Sequence, residues 1–324
     1  MTQINRTFSI APMMEWTDRH YRSLARIISK HTLLYTEMVT APALVHGDVE
    51  RHLKYNKPEH PIAVQLGGSD VDDLITATKH CDKYGYDEIN LNVGCPSDRV
   101  QNGKIGAVLM QEPELVAQCL KQMADNTDCD VTVKHRIGLD DDNSYETLKS
   151  FVDIVANNSN CKTFIVHARN AILKGLSPKE NREIPPLKYD YVYKLKTDFP
   201  ELEIIINGGI TDLNQTKQHL ESVDGVMIGR TAYHTPYDLL VNVDNELFNQ
   251  ANKTMSRIDV VNEYITYMDM EHKNATPIHT MAKHLMGIFH SQKGGKAFRR
   301  HLSENMFEKD VTTDVVKQAL SLVK

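Results

Sequence analysis

The chain has 324 residues, of which 41% are hydrophobic, and it carries a net charge of −6 and five cysteines. Its length allows one large domain or a large domain with an appendage, and no apolar run approaches the roughly 18 residues that a membrane-spanning helix needs. An odd number of scattered cysteines without CxxC spacing argues against a disulfide framework and against a zinc site. The first residues also lack the pattern of a signal peptide, so we expect a cytoplasmic protein.

Short β-branched runs alternate with helix-like segments along most of the chain. The runs lie at residues 8–13, 33–39, 61–68, 88–96, 130–138, 163–169, 203–210 and 225–233. Several of the intervening segments open on Ser, Thr or Asp, as helix N-caps do. Eight βα units over about 240 residues predict a (β/α)8 TIM barrel. The alternative is a doubly wound open sheet, which requires some of these strands to be misread.

The strand signals stop after residue 237, and helical patterns follow at residues 256–270, 277–292, 294–307 and 312–324. We interpret this tail as an all-helical bundle, with predicted domains at 1–245 and 250–324. The charge is uneven, because residues 1–250 hold 26 Lys+Arg against 35 Asp+Glu, whereas residues 251–324 hold 11 against 8. Taken alone, a modestly basic tail is usually a solvated helical face.

In a TIM barrel, the chemistry lies at the carboxyl ends of the strands. There the chain reads APMMEW at 11–16, QLGG at 65–68, NLNVGCP at 90–96, KHR at 134–136, HAR at 167–169, NGG at 207–209 and GR at 229–230. Glycines let backbone N–H groups approach a ligand, and Arg230 adds a cation where a helix begins. The last two strand ends therefore predict a phosphate site, with glycines that only form turns as the alternative.

The fifth strand places Lys134 and Arg136 on one face and His135 on the other. An inward cation at the barrel mouth is costly without an anion, and the N1–C2=O2 edge of a reduced flavin supplies one; a salt bridge between Lys134 and a barrel carboxylate is the alternative. His167 is equally suited to a structural hydrogen bond or to a ligand contact, and Gln65 either caps the barrel or contacts a flavin edge. The chain has no GxGxxG or P-loop motif, so a pyridine nucleotide, if one is used, must dock on a cofactor already in the mouth.

Cys95 follows a glycine and precedes a proline at the end of the fourth strand. A thiol in this position is a nucleophile, a metal ligand or a proton donor. The motif contains no paired base, which argues against a nucleophile. A lone protonated thiol beside a flavin suits a general acid.

Together these motifs closely resemble the tRNA-dihydrouridine synthases over essentially the whole chain. The matching segments are APMMEWTDRHYR, NLNVGCPS, KHRIG, VHAR, KGLSPKENR, NGGI and GRTAY. MEWTD and NGGI stand where many members have MEGVTD and NGDI, which indicates the bacterial A subgroup. The resemblance implies an FMN-binding catalytic barrel in residues 1–245 and a tRNA-binding helical domain in 250–324. NADPH would reduce the flavin, and a uracil of the tRNA D-loop, expected at positions 20 and 20a, would receive a hydride at C6.

The resemblance also assigns individual residues. Cys95 is the expected donor of the proton to C5. The expected FMN-binding residues are Pro12, Met13, Met14, Gln65, Lys134, His167, Asn207, Gly208, Gly209, Gly229 and Arg230. The expected tRNA-binding residues are Asn92, Lys179, Arg182, Lys296, Arg299 and Arg300. No metal, membrane or obligate protein partner is implied.

Two other functions remain open at this level. An FMN barrel reductase acting on a small molecule would have no need of the basic cluster Lys296, Arg299 and Arg300. In an RNA-binding protein without catalytic turnover, Cys95 and Lys134 would have no evident function. Net charge does not exclude RNA, since local basic patches determine phosphate contacts.

Overall fold

The computed structural model describes residues 4–97, 104–142, 144–251 and 254–323. Eight parallel strands form a closed barrel in chain order, with the last strand paired to the first. The strands are β1 Phe8–Ile10, β2 Leu33–Thr40, β3 Ile62–Gly67, β4 Glu88–Val93, β5 Asp130–Arg136, β6 Thr163–His167, β7 Glu203–Asn207 and β8 Gly225–Ile228. The predicted (β/α)8 barrel is confirmed, and the open-sheet alternative is wrong because the sheet closes.

Several strands end earlier than their β-branched runs. The run that contains β1 was predicted to reach residue 13, and the run that contains β8 to reach residue 233, but these strands end at Ile10 and Ile228. The apolar pattern continues because the rim loop after β1 and the short helix after β8 also pack against the barrel. The motif residues beyond these strand ends therefore lie on the rim.

The helices of the barrel follow the predicted segments. They are α1 Arg19–Ile28, α2 Ala41–His46, α3 Val49–Leu53, α4 Val71–Tyr84, α5 Pro113–Ala124, α6 Tyr145–Asn158, α7 Tyr189–Asp198, α8 Leu213–Leu220, α9 Arg230–His234, α10 Pro236–Leu240 and α11 Val243–Leu247. As expected for segments that open on Ser, Thr or Asp, four helices have a side-chain N-cap: Asp18, Asp70, Ser144 and Asp212 accept backbone N–H groups of the first turn. Short 3-10 helices lie at Lys57–Glu59, Gly106–Gln111 and Glu180–Arg182.

The tail contains α12 Arg257–Lys273, α13 Ile278–Ala282, a 3-10 helix at Lys283–Gly287, α14 Gly295–Asn305 and α15 Asp314–Ser321. The prediction of one helix over residues 277–292 is wrong. Gly287 packs directly on the end of α9, where a Cβ atom would lie 2.1 Å from the carbonyl oxygen of His234. This close approach accompanies the change from α13 to a tighter 3-10 turn.

Two main hydrophobic cores organise these elements. One lies between the barrel strands and the surrounding helices. The other belongs to the tail, and Leu24 of α1 is one of its buried members. The tail therefore packs on the barrel through α1, and its 3-10 helix also reaches the rim. No helix within the described ranges has the length and apolar character required to cross a membrane.

Arg6 closes the amino-terminal end of the barrel, which we call the floor. Its guanidinium donates hydrogen bonds to the carboxylates of Glu88 (2.6 Å), Asp130 (2.7 Å) and Glu203 (3.0 Å). These three carboxylates belong to the first residues of β4, β5 and β7. Because a buried charge needs a partner, the cluster ties the starts of three strands together.

Candidate active site

Cys95 lies two residues beyond β4, in a loop shaped by Asn92. The side-chain oxygen of Asn92 accepts the backbone N–H groups of Gly94 (3.1 Å) and Cys95 (3.0 Å). The carbonyl of Cys95 accepts the N–H of Ala107 at 2.9 Å. These bonds hold the loop on the rim and leave the thiol partly exposed.

A line of side-chain hydrogen bonds extends from Asn92 into the barrel. Asn92 donates to Gln65, Gln65 donates to Asn90, and Asn90 donates to Thr132, each at 2.8 Å. Thr132 then donates to the floor carboxylate of Glu88 at 2.7 Å. Every donor points toward the same anion, and aligned hydrogen bonds polarise and strengthen one another. Asn92 and Gln65 are thus held in place, and in each the second amide N–H bonds to none of the described residues, which leaves it for a ligand.

Lys134 is a partly buried cation whose side chain has no hydrogen bond or ion pair within the described part of the chain. Burial and the nearby guanidinium of Arg136 lower the pKa of Lys134 to about 7, while Cys95 acts in the opposite direction. The alternative of a salt bridge from Lys134 to a barrel carboxylate therefore finds no support among these residues. An ammonium group in this environment is stabilised by an anionic ligand.

Two histidines at neighbouring strand ends differ in their surroundings. His135 is on the face of β5 that points away from the barrel interior, as the alternation along β5 predicts. It is fully buried between the strands and the surrounding helices, where its ring contacts Phe151 and Phe164. His167 lies at the mouth, where burial and nearby cations, led by Arg136, lower its pKa well below the usual value. Its ring is therefore neutral, and its buried Nδ1 has no hydrogen-bond partner among the described residues. This orphaned nitrogen favours a ligand contact for His167 over a purely structural role.

Arg136 has a role that the sequence did not reveal. Its guanidinium donates to the carbonyls of Gly94 (3.1 Å), Asn170 (2.9 Å) and Asn181 (2.9 Å). It thereby joins the Cys95 loop to the long loop between β6 and α7. The KHRIG motif marked Arg136 as an inward cation, but only the folded chain shows that these carbonyls hold it.

The ends of β7 and β8 form a glycine-lined corner. Asn207 bridges the two strands by donating to the carbonyl of Met227 at 2.8 Å. Gly208 and Gly209 have φ angles of +116° and +74°, so the turn itself requires glycine there. Asp212 then caps the N-terminus of α8, which begins four residues after Gly209.

Gly229 differs from these two glycines. An added Cβ atom would meet no atom of the described residues closer than the sulfur of Met13 at 3.6 Å. Packing among these residues therefore does not require glycine at this position. The open space suits a ligand that approaches the backbone N–H groups. The adjacent Arg230 forms an ion pair with Glu183 at 2.6 Å in a half-exposed setting.

The loop between β1 and α1 supplies apolar atoms to the rim. Met13 is fixed by a hydrogen bond from its N–H to the hydroxyl of Thr17 at 3.0 Å. Met14 is 58% exposed on the same loop. Pro12 is partly buried beside them.

The two basic residues predicted after β6 occupy different surroundings. Lys179 is exposed at the start of the 3-10 helix Glu180–Arg182. Arg182 is partly buried within electrostatic reach of Arg230 and Cys95, and burial followed by Arg230 lowers its pKa. Its Nε has no hydrogen-bond partner among the described residues. Arg182 therefore belongs to the mouth rather than to the outer surface.

The three predicted basic residues of α14 also differ. Arg300 is exposed and paired with Glu304 at 2.8 Å. Lys296 is exposed, and neither it nor Arg299 has an ion-pair partner in the described ranges. Arg299 lines a cleft of about 320 Å³ between α9 and the tail, together with Lys283 and His290. Of the three, Arg299 is the cation best placed to face a phosphate on the barrel side.

The family model described as "Dihydrouridine synthase (Dus)" matches residues 9–324. The tRNA-dihydrouridine(20/20a) synthase of Vibrio vulnificus (strain CMCP6) is 51% identical over 315 residues, which cover 97% of this chain and 96% of the relative. The protein of that name from Escherichia coli (strain K12) is 50% identical and covers 98% of this chain and 91% of its own.

The chain belongs to the dihydrouridine synthase family.

The predicted resemblance to this family is thus confirmed. The structure of an old yellow enzyme homologue from Zymomonas mobilis shares the barrel fold with this dihydrouridine synthase, with a TM-score of 0.54 and 12% identity. That likeness covers 78% of this chain and 91% of the other.

The mouth of this dihydrouridine synthase fits the predicted FMN. FMN combines a phosphate, a flat apolar ring system and a pyrimidine edge that becomes anionic on reduction. The structure offers a counterpart for each part: an open glycine backbone at Gly229, the apolar side chain of Met13, and the unpaired cation of Lys134. The orphaned Nδ1 of His167 adds a further polar contact.

Replacing Lys134 with Met removes the charge and keeps most of the length of the side chain. Burial lowers the pKa of Lys134 from 10.5 to about 7, so its charged form opposes folding at neutral pH. We therefore expect the flavin-free Lys134→Met variant to be more stable than the wild type by about 1 to 3 kcal/mol at pH 7. The gain should shrink between pH 7 and 10.5, where the unfolded chain holds a proton that the folded chain has lost.

The same variant should bind FMN about tenfold or more weakly, because the anionic ligand loses its cation. Urea unfolding of the flavin-free protein and FMN titration measure the two effects. Lys79→Met, at an exposed position on α4, is the matched control and should change neither quantity. Unchanged FMN affinity in Lys134→Met would contradict the assignment of Lys134 to the flavin site.

Proposed function

We propose that this dihydrouridine synthase reduces the C5=C6 bond of uridine in the D-loop of tRNA, with FMN as its bound cofactor and NADPH as the reductant. The observation that carries the proposal is the presence near Cys95 of two cations, Lys134 and Arg182, that form no ion pair among the described residues. FMN, when bound and reduced, supplies the hydride for C6 of the uracil. The names of the relatives from Vibrio vulnificus and Escherichia coli support positions 20 and 20a as the targets.

Different residues of the mouth would bind different parts of the cofactor. The glycine corner and Arg230 would hold the phosphate, since backbone N–H groups and a guanidinium are strong phosphate donors. Lys134 would hold the pyrimidine edge, and His167 and Gln65 would contact the polar atoms of the ring. The apolar rim formed by Pro12, Met13 and Met14 would cover part of the ring system. The corner residues are Asn207, Gly208, Gly209 and Gly229.

Cys95 would complete the reduction as a general acid. The S–H bond of Cys95 breaks and a C–H bond forms at C5, so that the uracil gains one hydride and one proton. The thiolate left on Cys95 lies within electrostatic reach of Lys134, Arg136 and Arg182, which stabilise it until solvent returns the proton. Asn92 holds the loop so that the thiol stays at the rim.

The target uridine must leave the folded RNA and enter this mouth. Asn92 and Arg182 would then contact the extruded nucleotide, and Lys179, Lys296, Arg299 and Arg300 are the proposed contacts to the rest of the tRNA. NADPH would reduce the flavin in the open mouth before the uridine enters. The expected cytoplasmic location and the absence of an obligate protein partner stay predictions.

The direct test uses purified protein, FMN, NADPH and tRNA that lacks dihydrouridine. The tRNA is digested, and the mass of each D-loop fragment is measured. A gain of two hydrogens at position 20 or 20a supports the proposal. Oxidation of NADPH without any change in the tRNA would favour the small-molecule reductase instead, and FMN binding without any oxidation would favour an RNA-binding protein.

Cys95→Ala should retain FMN binding and NADPH oxidation but form dihydrouridine at least about a hundredfold more slowly, because loss of general acid catalysis costs this much. Cys129→Ala is the matched control, since Cys129 is another partly exposed thiol but bonds to the carbonyl of Tyr86, away from the mouth. It should keep the wild-type rate. A wild-type rate in Cys95→Ala would remove Cys95 from the mechanism.

Arg299→Gln and Arg300→Gln compare two neighbouring arginines of α14. Arg299 has no ion-pair partner among the described residues and lines the cleft, so its loss should weaken tRNA binding several-fold and reduce the salt dependence of binding by about one phosphate contact. Arg300 is already paired with Glu304, so its loss should have a smaller effect. Binding isotherms at a series of salt concentrations measure both. If the two variants weaken tRNA binding equally, the ion pair with Glu304 does not reduce the contribution of Arg300 to binding.

A further inference from the structure

The loop between β1 and α1 is held by residues from the far end of the chain. Glu15, in the middle of this loop, has a φ angle of +66°, a conformation that residues with a side chain rarely adopt. Such a conformation persists only where the surroundings impose it. The loop also carries Met13 and Met14, so its shape determines how the rim of the mouth is lined.

Both backbone groups of Glu15 have partners outside the loop. The N–H of Glu15 donates to a carboxylate oxygen of Glu37 on β2 at 2.5 Å. Its carbonyl accepts a hydrogen bond from the ammonium of Lys283 at 3.1 Å. Lys283 belongs to the 3-10 helix of the tail, so the tail directly contacts the peptide with the unusual conformation.

The end of the loop is fixed in the same way. Asp18 caps α1 by accepting the N–H groups of His20 and Tyr21, and it also accepts Lys283 at 3.1 Å and His284 at 3.0 Å. The side chain of His284 is fully buried. Because a carboxylate only accepts hydrogen bonds, Nε2 of His284 carries the hydrogen. Asp18 is thus shared between the barrel and two adjacent residues of the tail.

An aromatic stack completes the contact. Trp16 of the loop stacks on Tyr233 of α9, with ring centroids 4.6 Å apart and an angle of 6° between the planes. The edge of Tyr233 in turn meets the ring of His284 at 5.7 Å. Trp16 is the single tryptophan of the chain, so its fluorescence reports on this loop alone.

We propose that Lys283, supported by His284, is a positioning residue for the cofactor: the tail holds the β1–α1 loop in the shape that the flavin site requires. The helical tail is then part of the cofactor site as well as the proposed tRNA-binding domain. This inference rests on the proposed function only in naming FMN as the ligand of the loop.

The first test needs no cofactor. Lys283→Met removes the donor while keeping most of the side chain, and Lys283→Arg restores a donor. In flavin-free protein, Lys283→Met should raise the acrylamide quenching constant of Trp16 about twofold, because the loop opens locally more often. Lys283→Arg should return the constant toward the wild-type value.

The control removes a different contact between α1 and the tail. Arg19 on α1 forms a partly buried ion pair with Glu271 of α12, and Glu271→Gln weakens it. Both Lys283→Met and Glu271→Gln should lower the thermal midpoint. Only Lys283→Met should change the quenching of Trp16. Equal quenching in the two variants would show that Lys283 stabilises the interface in general and would overturn the proposal.

The second test is FMN affinity, measured by titration of the same variants. Lys283→Met should bind FMN about fivefold or more weakly than the wild type, since a loop that must be ordered on binding lowers affinity. Glu271→Gln should match the wild type. Unchanged affinity in Lys283→Met would overturn the link to the cofactor. If the wild type binds no FMN, the proposed function fails, while the quenching of Trp16 still decides whether Lys283 holds the loop.

Discussion

One line of hydrogen bonds connects the floor of the barrel to its mouth. It begins at the guanidinium of Arg6, passes through Glu88, and continues along the polar side chains inside the barrel to the backbone of Cys95. The buried carboxylate of Glu88 orients every donor in the line, since it only accepts hydrogen bonds. The position of the Cys95 loop therefore depends on an ion pair at the opposite end of the strands.

The two ends of the barrel differ in how their charged side chains are paired. At the floor, the guanidinium of Arg6 meets three carboxylates, and the buried charges are compensated within the protein. At the mouth, Lys134 and Arg182 both lie within electrostatic reach of Cys95, and within the described ranges neither forms an ion pair. Charge left unpaired in a partly buried site costs stability unless a ligand supplies the counter-charge. The charges at the floor are thus neutralised within the protein, whereas the cations at the mouth would be stabilised by an anionic ligand.

Much of this arrangement could be predicted from local sequence. Alternation along β5 separates Lys134 from His135, a glycine pair marks the end of β7, and a single glycine marks the end of β8. These signals depend on neighbouring residues, which a period of two or a turn preference captures. The predicted ends of β1 and β8 lie too far along the chain, because the apolar pattern of these strands continues into packed rim segments.

The parts that could not be predicted depend on contacts between distant residues. Glu15 and Lys283 are 268 positions apart, and no sequence motif predicts the contact between them. Arg136 looked like a ligand-binding cation, but backbone carbonyls from two loops hold it in place. Pairing of this kind is a property of the folded chain.

The central claim is that the mouth is built for an anionic flavin nucleotide. The most direct measurement compares the affinities of flavin-free protein for FMN and for riboflavin, which lacks the phosphate. If the glycine corner and Arg230 bind the phosphate, FMN should bind about a hundredfold or more tightly than riboflavin, and the difference should shrink in Arg230→Gln. Equal affinities for the two flavins would contradict the account.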